Sequence, residues 1–362
     1  MNTSVMGLIR QEVKILFELK KTERLWHIPL LVCLGSGIPL LVGWYLGNMA
    51  YGALSSLGGL VILHMPPSSL ANRMITLLAC SFGFMISFAI GVCFSFNPYV
   101  SAFVFGVFSF CVHWVVTSIR LKPPRSFFFI MIASMASCMP FHLETIPERI
   151  GLLGIGTMIA CFLAFVYSLL LTYKKTAQTQ LSLGPISTKI QHTDLIESGI
   201  VGIFLLLSLL IGHWLELKNP YWIPVSCAAV MQGVSLRHVW QRSFHRILGT
   251  LIGLGLCWGL LLVSLTPLIL CISIIVLQFV IEMLVLRHYT LAVIFITPMT
   301  ILLTEAGSVL SYTPSELIFA RFIDITLGSL LGSLGGWFIY HEQLRAKADR
   351  QLRKARVLLK RW

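Results

Sequence analysis

From about residue 28 to residue 340 the chain alternates long apolar runs with short polar punctuation, and this alternation limits its fold more than any other feature. Most runs are about 15–22 residues, the length a helix needs to cross a hydrocarbon core of about 30 Å. In lipid every backbone N–H and C=O must find a partner within the protein, which leaves helices and closed barrels. The runs lack the period-two alternation of barrel strands, so they predict helices. Six fall in the first half, at 28–47, 51–64, 74–95, 98–118, 126–140 and 149–172. Six fall in the second, at 198–215, 221–235, 246–264, 267–286, 289–305 and 320–340. The second, fifth, eighth and eleventh are short and contain or adjoin Pro or Gly, so fewer than twelve need cross completely. The expected fold is all-α: a polytopic integral membrane protein with about 12 transmembrane segments.

Only 11% of the 362 residues are charged, against about 25% for a soluble domain, and 57% are hydrophobic. The formal net charge is nevertheless +13. Its distribution decides what it means. With the N-terminus inside and strict alternation, only Arg149, Lys218 and Arg321 fall outside, which leaves 24 of the 27 Lys and Arg on the cytoplasmic side. That asymmetry is the positive-inside rule, so the basic charge sets topology and no nucleic-acid partner is expected. Residues 1–24 lack the short apolar core and small-residue cleavage site of a removable signal. The nine Cys sit singly, mostly inside runs, without Cys/His spacing for a metal, so neither metal nor cofactor is expected.

The pattern returns after about 170 residues. Tyr51 pairs with Tyr221, Arg73 with Arg246, Arg120 with Arg287, Arg149 with Arg321 and Gly156 with Gly328. Each half holds six segments, an even number, so both enter from the same side as a parallel repeat. The expected organisation is an amphipathic cytoplasmic segment at 1–27, a first six-segment repeat at 28–172, a cytoplasmic linker at 173–197, a second repeat at 198–340, and a basic amphipathic tail at 341–362. In the tail Leu344, Ala348, Leu352, Ala355, Leu359 and Trp362 recur at helical spacing among eight Lys and Arg, which suits an anionic inner leaflet.

An ordered set of residues in the second half carries a family likeness. Asn219-Pro220-Tyr221-Trp222 opens the eighth run, followed by Gln232. Arg242 precedes His245-Arg246-Ile247-Leu248-Gly249-Thr250 and Gly253. Tyr289 leads to Phe295-Ile296-Thr297-Pro298, and Arg321-Phe322-Ile323-Asp324 to Gly328 and Gly332. This set resembles the fusaric-acid-resistance, or aromatic acid exporter, family of bacterial inner-membrane proteins. More distantly it is similar to plant aluminium-activated malate transporters. The first half keeps a worn copy, with Leu152 where Asp324 would fall. The resemblance implies a two-half transport unit that expels weak organic acids, often aromatic ones. Larger relatives carry a soluble cytoplasmic domain, and regulation through one is not expected here.

Several residues are candidates for the site. On a helix Gly328, Gly332 and Gly335 lie within about 40° of Arg321, with Asp324 about 60° away. One face therefore presents a cation, a carboxylate and a line of glycines. It reads either as an anion-attracting lining where the last spans of the two halves meet, with Arg149 as second cation, or as an Arg321–Asp324 ion pair above a packing seam. Asp324 and Glu282 are the carboxylates placed inside spans, and both are candidates for proton coupling because low dielectric disfavours the charged form. Arg246 reads as a topological anchor or as a capture site for cytosolic anions. Tyr221, Trp222 and Tyr289 suit an interfacial girdle or stacking against an aromatic substrate. His113 reads as packing. No catalytic dyad or phosphate loop is present in the sequence, so an enzyme is not expected.

The sequence therefore predicts an inner-membrane exporter of small organic, mainly aromatic, acids with both termini cytoplasmic. A passive organic-anion channel and a membrane scaffold or assembly subunit are the alternatives. Expected partners are the organic anion and membrane lipids, including the anionic inner leaflet. Association into a homo-oligomer and with a periplasmic adaptor is left open.

Overall fold

The computed structural model describes residues 24–173, 192–261, 266–307 and 314–341, and the described secondary structure is helical throughout. The N-terminal amphipathic segment, the centre of the linker and the basic tail lie outside the described residues. The described residues form twelve α-helices in order: α1 (His27–Tyr45), α2 (Met49–Ser56), α3 (Leu70–Cys93), α4 (Pro98–Ser118), α5 (Phe127–Ser137), α6 (Ile146–Tyr173), α7 (His192–Trp214), α8 (Trp222–Met231), α9 (Leu236–Leu261), α10 (Pro267–Leu284), α11 (Tyr289–Gly307) and α12 (Pro314–Tyr340). A 3-10 stretch, Leu57–His64, continues α2.

Local chemistry sets the breaks between helices. Asn97 accepts from the backbone N–H groups of Tyr99 and Val100, with Pro98 in the first turn of α4. Thr266 caps α10 in the same way ahead of Pro267. Each side chain meets an orphan N–H, and proline removes another. Gly47, at φ 73°, turns the chain out of α1 in a conformation that disfavours a side chain. Inside the helices hydroxyls return to their own backbone, as Ser81 does to the Leu77 carbonyl at 2.8 Å and Thr297 to the Val293 carbonyl at 2.9 Å. That keeps a polar side chain satisfied without water.

Among the described residues eight helices are long and apolar enough to cross a membrane: α1, α3, α4, α6, α7, α9, α10 and α12. The rest of the bundle is built from shorter apolar pieces in Met49–His64, Phe127–Ser137, Trp222–Met231 and Tyr289–Thr304. These are the second, fifth, eighth and eleventh runs of the sequence. At 1.5 Å per residue α5 and α8 rise only about 15 Å, half a hydrocarbon core. The α2 segment reaches roughly 28 Å because its 3-10 half rises about 2 Å per residue. Several helices begin earlier than their apolar runs, α9 at Leu236 rather than 246 and α7 at His192 rather than 198. A helix propagates through polar residues once nucleated, so hydropathy marks the lipid core and not the helix end. The linker is shorter than expected for the same reason.

Large apolar side chains face outward, among them Ile75, Phe82, Phe162, Ile203, Leu251 and Trp258. Serines, threonines and glycines line the interior, with Ser109, Ser134, Thr157, Ser208 and Ser226 fully buried. This inversion relative to a soluble protein fits a lipid solvent, in which apolar side chains gain nothing by hiding and small residues let helices approach. The protein is a multi-pass membrane protein.

Within the first half α3 packs on α5 and α6, α1 on α2 and α6, and α2 on α6. Within the second α9 packs on α11 and α12, α7 on α8 and α12, and α8 on α12. Between halves α4 packs on α7, α1 on α10, α5 on α8 and α2 on α11. The short helix α8 is the centre of this arrangement: all ten of its residues are buried. Its Trp222 and Val225 join the apolar core of the first half, while Cys227, Ala228 and Met231 join a second core with α4, α5 and α7.

Candidate functional site

α8 and α12 meet at a glycine seam. A Cβ on Gly328 would collide with the Ile223 carbonyl, and one on Gly332 would lie 2.8 Å from the Cys227 carbonyl oxygen. Gly335 faces the Met231 sulfur. The absence of side chains brings the α12 backbone against α8, and this close approach carries Asp324 and Arg321, one and two turns toward the helix start, alongside the opening turn of α8. There they line a narrow cleft with Asn219, Trp222, Thr300, Ile301 and Thr304. Its empty space is about 290 Å³, solvent at the mouth included.

Arg321 is only 4% exposed. Its guanidinium carbon stands 3.5 Å from the centroid of the Trp222 ring, and Nη2 donates to Thr300 Oγ1 at 2.9 Å. Nε and Nη1 have no partner among the described residues. Asp324 is 1% exposed, and both its carboxylate oxygens likewise lack partners there. The two side chains feel each other's charge but form no ion pair. A buried guanidinium stacked on an indole and held by one hydroxyl thus keeps donors to spare, and a carboxylate waits one turn away. Stranding ionic groups in low dielectric is costly, and an arriving anion would relieve that cost at Arg321.

Residues 206–335 match the family of fusaric acid resistance protein-like proteins. The likeness seen in the sequence therefore holds over that stretch, which includes every residue lining the cleft. The uncharacterized membrane protein YvaC of Bacillus subtilis (strain 168) is 21% identical, over 84% of this chain and 71% of its own length. No solved structure matches.

The fusaric acid resistance-like stretch also holds a second buried cation, reached from the other end of α8. Arg246 is 5% exposed; its Nη1 donates to the Tyr289 hydroxyl at 3.1 Å and its Nη2 to Ser226 Oγ at 3.2 Å. Arg242 lies over the Tyr289 ring at 4.5 Å and donates to the Ala229 carbonyl at 3.0 Å. The two buried arginines sense each other electrostatically along α8. Tyr221 stands beside the cleft, its ring 5.0 Å from that of Trp222 and its hydroxyl hydrogen-bonded to Thr304. One face of Trp222 and one of Tyr289 are thus covered by arginines.

Other expected residues lie elsewhere. Arg149 is half-exposed at the start of α6 and donates to the Pro140 carbonyl at 2.9 Å. α6 packs on α1, α2 and α3, and α12 on α7, α8 and α9, so Arg149 does not share the cleft with Arg321. Glu282 is paired with Arg24 at 3.0 Å and accepts from Gln278 at 3.2 Å. Thr300, Thr304 and Ser226 were not singled out by sequence. The signal for the two threonines was present as the polar positions 297, 300 and 304 at helical spacing in an apolar run, but isolated hydroxyls of this kind more often bond their own backbone. Among the described residues no three His, Cys, Asp or Glu side chains converge as a metal site.

Proposed function

We propose that this protein is a transporter that exports small organic acids across the inner membrane, with the substrate carboxylate engaging Arg321 in the α8–α11–α12 cleft. The observation that carries the reading is a buried guanidinium oriented by Trp222 and Thr300 yet joined to no carboxylate among the described residues. Arg246 extends the positive potential along α8 toward the side where the basic loops lie. Asp324 is the proton-coupling group, since its charge competes with a bound anion for Arg321. Aromatic acids are the substrate class by family likeness; the rings of the site stack on arginines and do not themselves select for aromaticity.

The unit that moves is two parallel six-segment repeats with both termini cytoplasmic. The packing supports this. Adding six to each helix label turns the contacts of the first half into those of the second, and turns α4 on α7 and α5 on α8 into α10 on α1 and α11 on α2. Gly156 of α6 meets Ser55 of α2 as Gly328 meets α8. Twelve chain crossings follow if the short helices complete theirs with adjoining loops. The 24 Lys and Arg of one side support the orientation and contact with an anionic leaflet.

The test is uptake of a panel of labelled organic acids into vesicles holding the purified protein. Arg321→Gln should abolish uptake without loss of folded yield, and Arg321→Lys should keep part of it, since lysine retains charge but not the plane that stacks on Trp222. Recovery to wild-type rate in Arg321→Gln with Asp324→Asn would make Arg321 only a neutraliser of Asp324 and sink the proposal.

A further inference from the structure

Arg242 and Arg246 lie one turn apart on α9 and share Tyr289, the first through the ring face and the second through the hydroxyl. Nothing acidic answers them. Helices α8 and α9 contain no Asp or Glu, and the one acid of α11, Glu305, is in its last turn. Among the described residues neither arginine forms an ion pair. An arginine that only anchors topology extends to the headgroups. Arg246 turns inward instead, its two Nη bonds reaching Tyr289 and Ser226 of the buried helix α8. Those bonds use two of the five N–H groups of a guanidinium, and Nε has no partner among the described residues.

Two hydroxyls beside this cation are equally idle. Thr250, one turn beyond Arg246 on α9, is 1% exposed, and Thr290, next to Tyr289, is 6% exposed. Neither Oγ1 has a partner among the described residues, although Thr297 and Thr304 return theirs to their own helix. The two threonines stand at one level, because a Cβ on Gly249 would lie 2.8 Å from the Thr290 carbonyl oxygen. A buried cation without a counter-charge, together with three unused buried donors, is costly until an acceptor arrives.

We infer that Arg246, Thr250 and Thr290 form a second anion site, which takes the carboxylate of an organic acid entering past Arg242 from the side of the basic loops. Arg242 is half-buried and Arg246 buried, so the charge leads inward. Ser226, which holds Arg246, is one turn along α8 from Trp222, which carries Arg321. Each of these steps is about 6 Å along a helix, short enough for an anion to pass from one guanidinium to the next. That the site feeds Arg321 rests on the function proposed above; the site itself does not.

The test is equilibrium binding of labelled benzoate to the purified full chain in detergent, in an Arg321→Gln background so that the second site is read by itself. Saturable binding should persist there and vanish when Arg246→Gln is added. Adding Thr250→Val, which keeps the shape, should weaken it about tenfold through the lost hydrogen bond to a charged group. Benzamide, the same ring without the charge, should not compete. Absence of saturable binding in Arg321→Gln, or binding that survives Arg246→Gln, would overturn the site. If the Arg246 variant does not fold, unchanged affinity in Thr250→Val would overturn it as well. Displacement of benzoate by phosphatidylglycerol added to the micelles would assign the donors to a lipid headgroup and overturn the intake role. A wild type that binds no more benzoate than Arg321→Gln would remove Arg321 from the path and leave this site standing, so the two readings fail separately.

Discussion

A guanidinium in lipid must be explained by what surrounds it, and at Arg321 the surroundings are an indole face and a threonine hydroxyl. Thr300 does two things at once: it donates to the Thr297 carbonyl at 3.0 Å and accepts from Arg321. Thr300→Val keeps the shape and removes the acceptor. A hydrogen bond to a charged group contributes about 1.5–3 kcal/mol, so apparent affinity for the organic anion should weaken about tenfold or more in a concentration series. Unchanged affinity would mean that Thr300 does not orient Arg321. Asp324→Asn removes the carboxylate that competes for Arg321. Concentrative efflux should stop while downhill exchange continues, as measured with and without an imposed pH gradient. Loss of both would assign Asp324 to folding. At this scale Arg321 and Asp324 were legible in the sequence because charges interrupt an apolar run. Thr300 was not, because a threonine in a helix is ordinary until a tertiary contact 21 residues away gives it a donor.

Helix α8 shows how an element of about 15 Å, too short to cross a membrane, becomes a structural centre. It is buried on every side, and the α12 glycines let the backbone reach it. Gly332→Leu would press a side chain on the Cys227 carbonyl and the Val230 Cβ, both 2.8 Å from the first added carbon. Overpacking of this kind costs about 2–3 kcal/mol, and folded yield in detergent should fall sharply. Leu330 is 49% exposed on another face, so Leu330→Ala should leave yield near wild type. Equal yields for the two variants would remove the seam from the account. The glycine spacing was visible beforehand; its partner was not, since a line of glycines says that something approaches but not what.

At the scale of the molecule, two six-helix halves interlock through α4 on α7 and α1 on α10, with Arg24 and Glu282 paired at the second seam and His113 beside Glu197 at the first. Reporter fusions should place Arg125, Lys175, Arg237 and the residues after Tyr340 on the cytoplasmic side, and Glu144 and Lys218 outside. An external signal after Lys175 would break the parallel relation between the halves. The sequence by itself determined that the chain lives in a membrane, where its helices fall, that its pattern repeats and which charges lie in apolar surroundings. All of these follow from local quantities: run length against bilayer thickness, the N–H or C=O each residue must satisfy, and the cost of desolvating a charge. Only the tertiary structure decided that Arg321 leans on Trp222 and not on Asp324, that Glu282 answers Arg24, and that His113 faces Glu197. Those pairings join residues 84 to 258 positions apart, and which side chains meet at such separations is set by how helices pack, a property of the whole bundle that no single segment carries.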